Sequence, residues 1–143
     1  MKPKQLFCFT YAGGTSSFFD ELGKELSGIE VVKLDYAGHG ERHKENFYEN
    51  FDELADDIFE LVRDKYLGGE YALFGYSMGS ITLVEVLKRI IDQKIELPSN
   101  LFLAAHEPQT KYELLDFSSD ELDEWVMERT LRFGGVPERL LKN

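Results

Sequence analysis

Gly75, Ser77 and Gly79 form a Gly-x-Ser-x-Gly pattern inside Tyr71-Ala-Leu-Phe-Gly-Tyr-Ser-Met-Gly-Ser80. An apolar, strand-length run precedes the serine, and apolar residues follow it at helical spacing from Met78 to Ile91. That context fits a nucleophile elbow, a sharp strand-to-helix turn that holds a serine hydroxyl proud of a sheet edge. Such a turn packs backbone so closely that side chains flanking the serine would clash, which is why glycines stand there. The chemistry would be acyl transfer, with Ser77 as nucleophile and the Met78 amide, at a helix N-terminus, as one oxyanion donor. The same five residues also suit a plain glycine-rich turn whose hydroxyl is simply satisfied.

Acyl transfer needs a second oxyanion donor, a base in reach of the serine and an acid that orients the base. The second donor is assigned to Ala12, in the turn Tyr11-Ala-Gly-Gly-Thr15, although those glycines would equally permit a tight turn and nothing more. The base is harder to place. When the nucleophile comes first in the chain, the acid and then the histidine follow it, and only His106 follows Ser77. His106 is therefore the one base candidate, and its plain reading is a polar residue at a strand end. His39 and His43 read as solvated or loop-bracing side chains, and the spacing of the three histidines matches no common metal-ligand pattern. Cys8 sits inside a strand pattern and reads as a core residue. As the lone cysteine it allows no internal disulfide, so a reducing, cytoplasmic setting is the default.

These side chains must be positioned by a regular scaffold. Lys4 to Tyr11 is a short apolar and aromatic run that reads as a buried strand, and Glu30 to Tyr36 as a second. Between them Ser16 or Ser17 can cap a helix carrying Phe18, Phe19, Leu22 and Leu26. Phe47, Phe51, Leu54, Ile58 and Leu61 recur at three- and four-residue steps and predict a helix with one buried face. Its acids, Glu49, Asp52, Glu53, Asp56, Asp57 and Glu60, read as the solvated face of that helix. Tyr71 to Tyr76 is the third strand, and the next helix is expected to bury Ile81, Val84, Leu87 and Ile91. Leu101 to Ala105 is the fourth strand. This alternation predicts an α/β fold, a mostly parallel sheet flanked by helices. After His106-Glu-Pro108 the pattern changes. Ser118-Ser-Asp-Glu121 looks like a capping box, and residues 109–143 read as two lid helices.

The 143 residues suit one domain with a sizeable core, and 43% hydrophobic content excludes a disordered chain. The longest apolar runs are strand-length, and the N-terminus lacks the pattern of a signal peptide. A net charge of −11 argues against a nucleic-acid partner.

Taken in order, these segments resemble the type II (external) thioesterases of nonribosomal peptide and polyketide synthesis, within the α/β-hydrolase fold. Leu6-Phe-Cys-Phe-Thr-Tyr-Ala-Gly-Gly14 looks like that family's opening strand and Pro-Tyr/Phe-Ala-Gly-Gly loop. Asp35-Tyr-Ala-Gly-His-Gly-Glu-Arg42 is similar to its Pro-Gly-Arg-Gly-x-Arg segment, and Tyr71 to Gly79 to its Gly-His-Ser-Met-Gly elbow. Leu131 to Leu141 resembles its lid stretch with Gly-Gly-x-Pro. Thr10 replaces the family's proline and Tyr76 its histidine before the serine; neither supplies a catalytic atom. Family members continue into strands carrying a catalytic aspartate and histidine, and those roles map onto no residue of this chain. The expectation is thus an incomplete hydrolase domain over 1–143.

The resemblance implies hydrolysis of acyl or aminoacyl thioesters held on the phosphopantetheine of a partner carrier protein, through a Ser77 acyl-enzyme, with no metal or redox cofactor. Two other readings stand beside it. One is a general esterase or lipase-like hydrolase of small esters. The other is a catalytically dead hydrolase fragment that binds a partner. The missing strands also imply an exposed sheet edge and self-association.

Overall fold

The structure, a computed structural model, describes residues 1–106. Internal contacts divide the chain into two compact units, Met1–Glu107 and Pro108–Asn143. The helices expected over 109–143, with their capping box and Gly-Gly-x-Pro stretch, lie outside the described residues.

Four strands form one sheet: β1 (Lys4–Phe9), β2 (Ile29–Leu34), β3 (Tyr71–Tyr76) and β4 (Asn100–Ala104). Every pairing is parallel and the spatial order is β2-β1-β3-β4. The helices are α1 (Asp20–Glu25), entered through a 3-10 turn at Ser16–Phe19, α2 (Phe51–Lys65) and α3 (Met78–Asp92). The chain steps outward from β1 to β2, then returns past β1 to β3. This reversal puts the switch point between β1 and β3, where open parallel sheets gather ligands beyond their strand C-termini.

From Leu6 to Phe9, β1 is apolar because both its faces are covered, as central parallel strands require. Phe7 and Phe9 point into the main core with Leu73, Leu54, Ile58, Leu83, Val86 and Ile90. Leu6 and Cys8 point to the other face, against Phe19. The helix α2 starts cleanly because the Asn50 side chain accepts the Glu53 amide at 2.9 Å while the Glu53 carboxylate accepts the Glu49 amide at 2.9 Å. The first bond satisfies an orphan helix-start donor, and the second ties down the residue that precedes the cap.

Several expectations are corrected. Phe47 and Glu49 precede α2, and Phe47 is 71% exposed rather than part of a buried stripe. Neither Ser16 nor Ser17 caps a helix by its side chain; the Ser16 hydroxyl is bound to Asp35 instead. On α3 the buried line is Thr82, Leu83, Val86 and Ile90, whereas Val84 and Ile91 are exposed. This helix carries two apolar stripes, and the elbow at its start fixes which one turns inward.

Candidate active site

β3 ends at Tyr76 and α3 begins at Met78, so Ser77 alone makes the turn between them. Its backbone stands at φ 54°, ψ −119°, a region that costs a non-glycine residue about 1–3 kcal/mol. The surroundings hold it there. The Ser77 amide donates to Ala104 at 2.8 Å and the Ser80 amide to the Ser77 carbonyl at 2.9 Å. The buried Ser80 hydroxyl donates to the Gly75 carbonyl at 2.9 Å, with the Ala104 carbonyl at 3.3 Å. A Cβ on Gly75 would run into the backbone of Gly79, and one on Gly79 into the Phe9 carbonyl. Both glycines are therefore required by close approach.

Ala12 lies in the turn that leaves β1, closed by the Gly14 amide donating to Tyr11 at 3.0 Å. Met78 is the first residue of α3. Neither the Ala12 nor the Met78 amide has a hydrogen-bond partner among the described residues. The two residues share the lining of one hollow of about 280 Å³. A larger hollow of about 710 Å³ lies along α1 and β4 and includes neither Ala12, Ser77 nor Met78. On another side of the elbow the rings of Tyr11, Phe18 and Tyr76 pack at 4.8–6.3 Å.

The histidines fare differently. His106 lies two residues past the end of β4, at the same end of the sheet as Ser77, and is half-buried. The Ser77 hydroxyl has no hydrogen-bond partner among the described residues. His39 Nδ1 meets the Ala37 carbonyl at 3.1 Å and His43 Nδ1 the Gly40 carbonyl at 3.0 Å, so both brace their loop. Cys8 is fully buried and its thiol is pushed up to about 12 by that burial. It is inert as a nucleophile.

Three positioning groups were not apparent in the sequence. Asp35, at the end of β2, accepts the Ser16 amide at 2.6 Å, the Ser16 hydroxyl at 3.0 Å and the Glu41 amide at 3.1 Å. It ties the loop after β1 to the loop after β2. Arg42 makes paired bonds to Asp57 at 2.7 and 3.1 Å and to Glu45 at 2.9 and 2.6 Å. Those two carboxylates hold its guanidinium firmly charged. Asp57 also accepts the Tyr48 hydroxyl at 2.5 Å, so this acid is a loop anchor rather than a member of a merely solvated face. Tyr36, buried, donates to the Thr10 carbonyl at 2.9 Å and lies 3.1 Å from the Thr82 hydroxyl. Burial pushes its phenol up to about 12. The one available signal was the run Asp35 to Arg42, whose polar ends flank a glycine-rich loop.

Among the described residues no three His, Cys, Asp or Glu side chains converge as a metal site, and no helix is long and apolar enough to cross a membrane. Ser77 thus stands at the strand–helix turn, next to a hollow lined by Ala12 and Met78.

A family model for the thioesterase domain matches residues 4–143. Over 142 residues the chain is 28% identical to thioesterase PikA5 of Streptomyces venezuelae, covering 97% of this chain and 50% of that protein. It is 29% identical over 142 residues to the medium-chain S-acyl fatty acid synthase thioesterase of Anas platyrhynchos, covering 97% and 57%. Among solved structures, the RedJ thioesterase from the prodiginine biosynthetic pathway in Streptomyces coelicolor superposes with a TM-score of 0.73 at 30% identity. That match covers 88% of this chain and 48% of RedJ. The chain spans about half the length of these relatives.

Proposed function

The chain belongs to the thioesterase family, of α/β-hydrolase fold, and on that premise we propose that it carries the nucleophile and oxyanion half of a serine thioesterase. The substrate is an acyl or aminoacyl thioester on the phosphopantetheine arm of a carrier protein, as in the editing of stalled synthases. Relatives named for a fatty acid synthase and for a prodiginine pathway support an acyl thioester as substrate. The observation that carries the reading is Ser77 held at φ 54° between β3 and α3. Strain of this kind persists where a side chain must be presented.

In the reaction the Ser77 hydroxyl attacks the thioester carbonyl and gives its proton to a base. The tetrahedral oxyanion is received by the Ala12 and Met78 amides, aided by the positive end of α3. Collapse breaks the C–S bond, the pantetheine sulfur leaves as the protonated thiol, and water then cleaves the Ser77 ester. The base is the family's histidine, which maps onto no residue up to Asn143, or His106.

Intact mass after incubation with a fluorophosphonate tests the reading, with Ser77→Ala as control. A stoichiometric adduct that the control lacks supports an activated Ser77 within these 143 residues. Labelling only in a C-terminally extended protein supports a base beyond Asn143. No labelling in either defeats the serine mechanism. Matched thioester and oxoester substrates then separate a thioesterase from a general esterase; preference for the oxoester would overturn the thioester reading.

A further inference from the structure

The hollow of about 280 Å³ beside the elbow starts at Ala12 and Met78 and continues between Ala37, Phe47, Phe51 and Leu54. Most polar atoms in its lining are already used by the frame. The Tyr36 hydroxyl is spent on Thr10 and Thr82, and the Tyr48 hydroxyl donates to Asp57 and accepts the Ala37 amide at 2.9 Å. Asn50 caps α2 and His39 Nδ1 is held by Ala37. What remains toward a ligand is mainly apolar surface, with the exposed Glu49 carboxylate and His39 Nε2 as the polar exceptions.

From this we infer that the hollow receives the apolar acyl chain of the substrate and that Phe47 is the side chain that limits how long that chain can be. The inference rests on the proposed function for its orientation: a carbonyl at the oxyanion amides directs its chain into space that those same two residues line. Phe47 is a wall, not a core residue, since it is 71% exposed. It is nonetheless fixed. Its ring packs onto the bare Cα of Gly38, where any Cβ would collide with it, and edge-on to His39 with centroids 5.5 Å apart. Gly38 stands at φ 80°, so a side chain there would be strained as well as crowded. His39, held by Ala37, thus acts on specificity through Phe47 rather than on the serine proton.

The test measures binding, so that it does not depend on turnover. Ser77→Ala protein is titrated by NMR with N-acetylcysteamine thioesters from acetyl to dodecanoyl. Affinity should rise about fourfold per methylene, as burial of each group predicts, and stop rising within the series, at the length where the chain meets Phe47. Phe47→Ala should move that limit to longer chains, and Phe51→Trp should move it to shorter ones. Loss of an exposed ring leaves the core intact, and the amide spectrum of each variant checks this. Affinity that climbs evenly to dodecanoyl, a limit that neither variant moves, or no binding at all would overturn the pocket. Chain-length-limited binding without Ser77 labelling or hydrolysis in the extended protein would retain the pocket and defeat the proposed function. Hydrolysis whose chain-length profile ignores Phe47 would do the reverse.

Discussion

Asp35 and Ser16 are joined twice, amide to carboxylate at 2.6 Å and hydroxyl to carboxylate at 3.0 Å. They lie on loops that leave different strands, and the same carboxylate also takes the Glu41 amide. One buried side chain therefore sets the spacing between the loop after β1 and the loop that carries His39 and Arg42. Hydrogen bonds to a charged group contribute about 1.5–3 kcal/mol each. Asp35→Ala should destabilise the protein by about 2–3 kcal/mol in urea unfolding. A loss below about 0.5 kcal/mol, the range of ordinary surface changes, would show that the two loops are held by something else.

Arg42 should behave unlike a surface cation. Its side chain is 18% exposed and that of Asp57 is 32% exposed, and their two parallel bonds use the fork of the guanidinium. A double-mutant cycle between Arg42→Ala and Asp57→Ala should give a coupling of about 1–2 kcal/mol, above the usual value for exposed pairs. Arg42→Lys should recover little of it, because an ammonium cannot hold two carboxylates and the Asp35 carbonyl in one plane. Full recovery by lysine would reduce the pair to simple charge attraction.

The parts of this fold legible in the sequence are those where local pattern and tertiary demand coincide. Tyr71 to Tyr76 and the elbow after it could be read because an apolar run, two glycines and helical spacing all describe the same turn. Asp35 could not be read as a clamp, because its partners are Ser16 and Glu41 and only the parallel pairing of β1 with β2 brings them together. Phe47 continues the apolar period of α2, yet Asn50 takes the N-cap position and starts the helix only after Phe47. Asp57 looked like one acid among six. Its role became visible only when Arg42 arrived from another loop. On α3 two apolar lines competed, and periodicity alone could not choose between them.

Thr10 is fully buried and its hydroxyl has no partner among the described residues. An unpaired buried hydroxyl costs about 1–3 kcal/mol, and valine keeps its shape. Thr10→Val should stabilise the protein by about 1 kcal/mol, seen as a higher urea midpoint at unchanged slope. Destabilisation would mean that the hydroxyl is paired in solution.

Stability should fall at alkaline pH. Burial holds Cys8, Tyr36, Tyr48 and Tyr71 protonated to about 12, above their ordinary values of 9.0 and 10.0. As pH rises past 9 to 10 the unfolded chain loses these protons while the folded chain keeps them, so the unfolded state gains. The contribution is fully present below pH 9 and is lost progressively up to about pH 12. Cys8 and Tyr36, the most deeply buried of the four, carry most of this loss. Tyr36→Phe should flatten the decline measured between pH 10 and 12. A decline of the same slope in that variant would exclude Tyr36 as a contributor.

The sheet ends, among the described residues, at β4, which pairs only with β3. Its central residues Leu101, Phe102 and Leu103 are 42%, 51% and 54% exposed. Three consecutive large apolar residues put apolar surface on both faces of an edge strand whose outer backbone groups have no ladder partner. That combination is a template for pairing with another chain, and natural edges commonly carry lysine to prevent it. The 143-residue chain should therefore show a mass by light scattering that rises with concentration. Leu101→Lys, which places a charge on that edge opposite Leu73 and away from the elbow, should return it toward the monomer mass. A wild-type chain that stays monomeric across a hundredfold range of concentration would show that β4 is covered in solution.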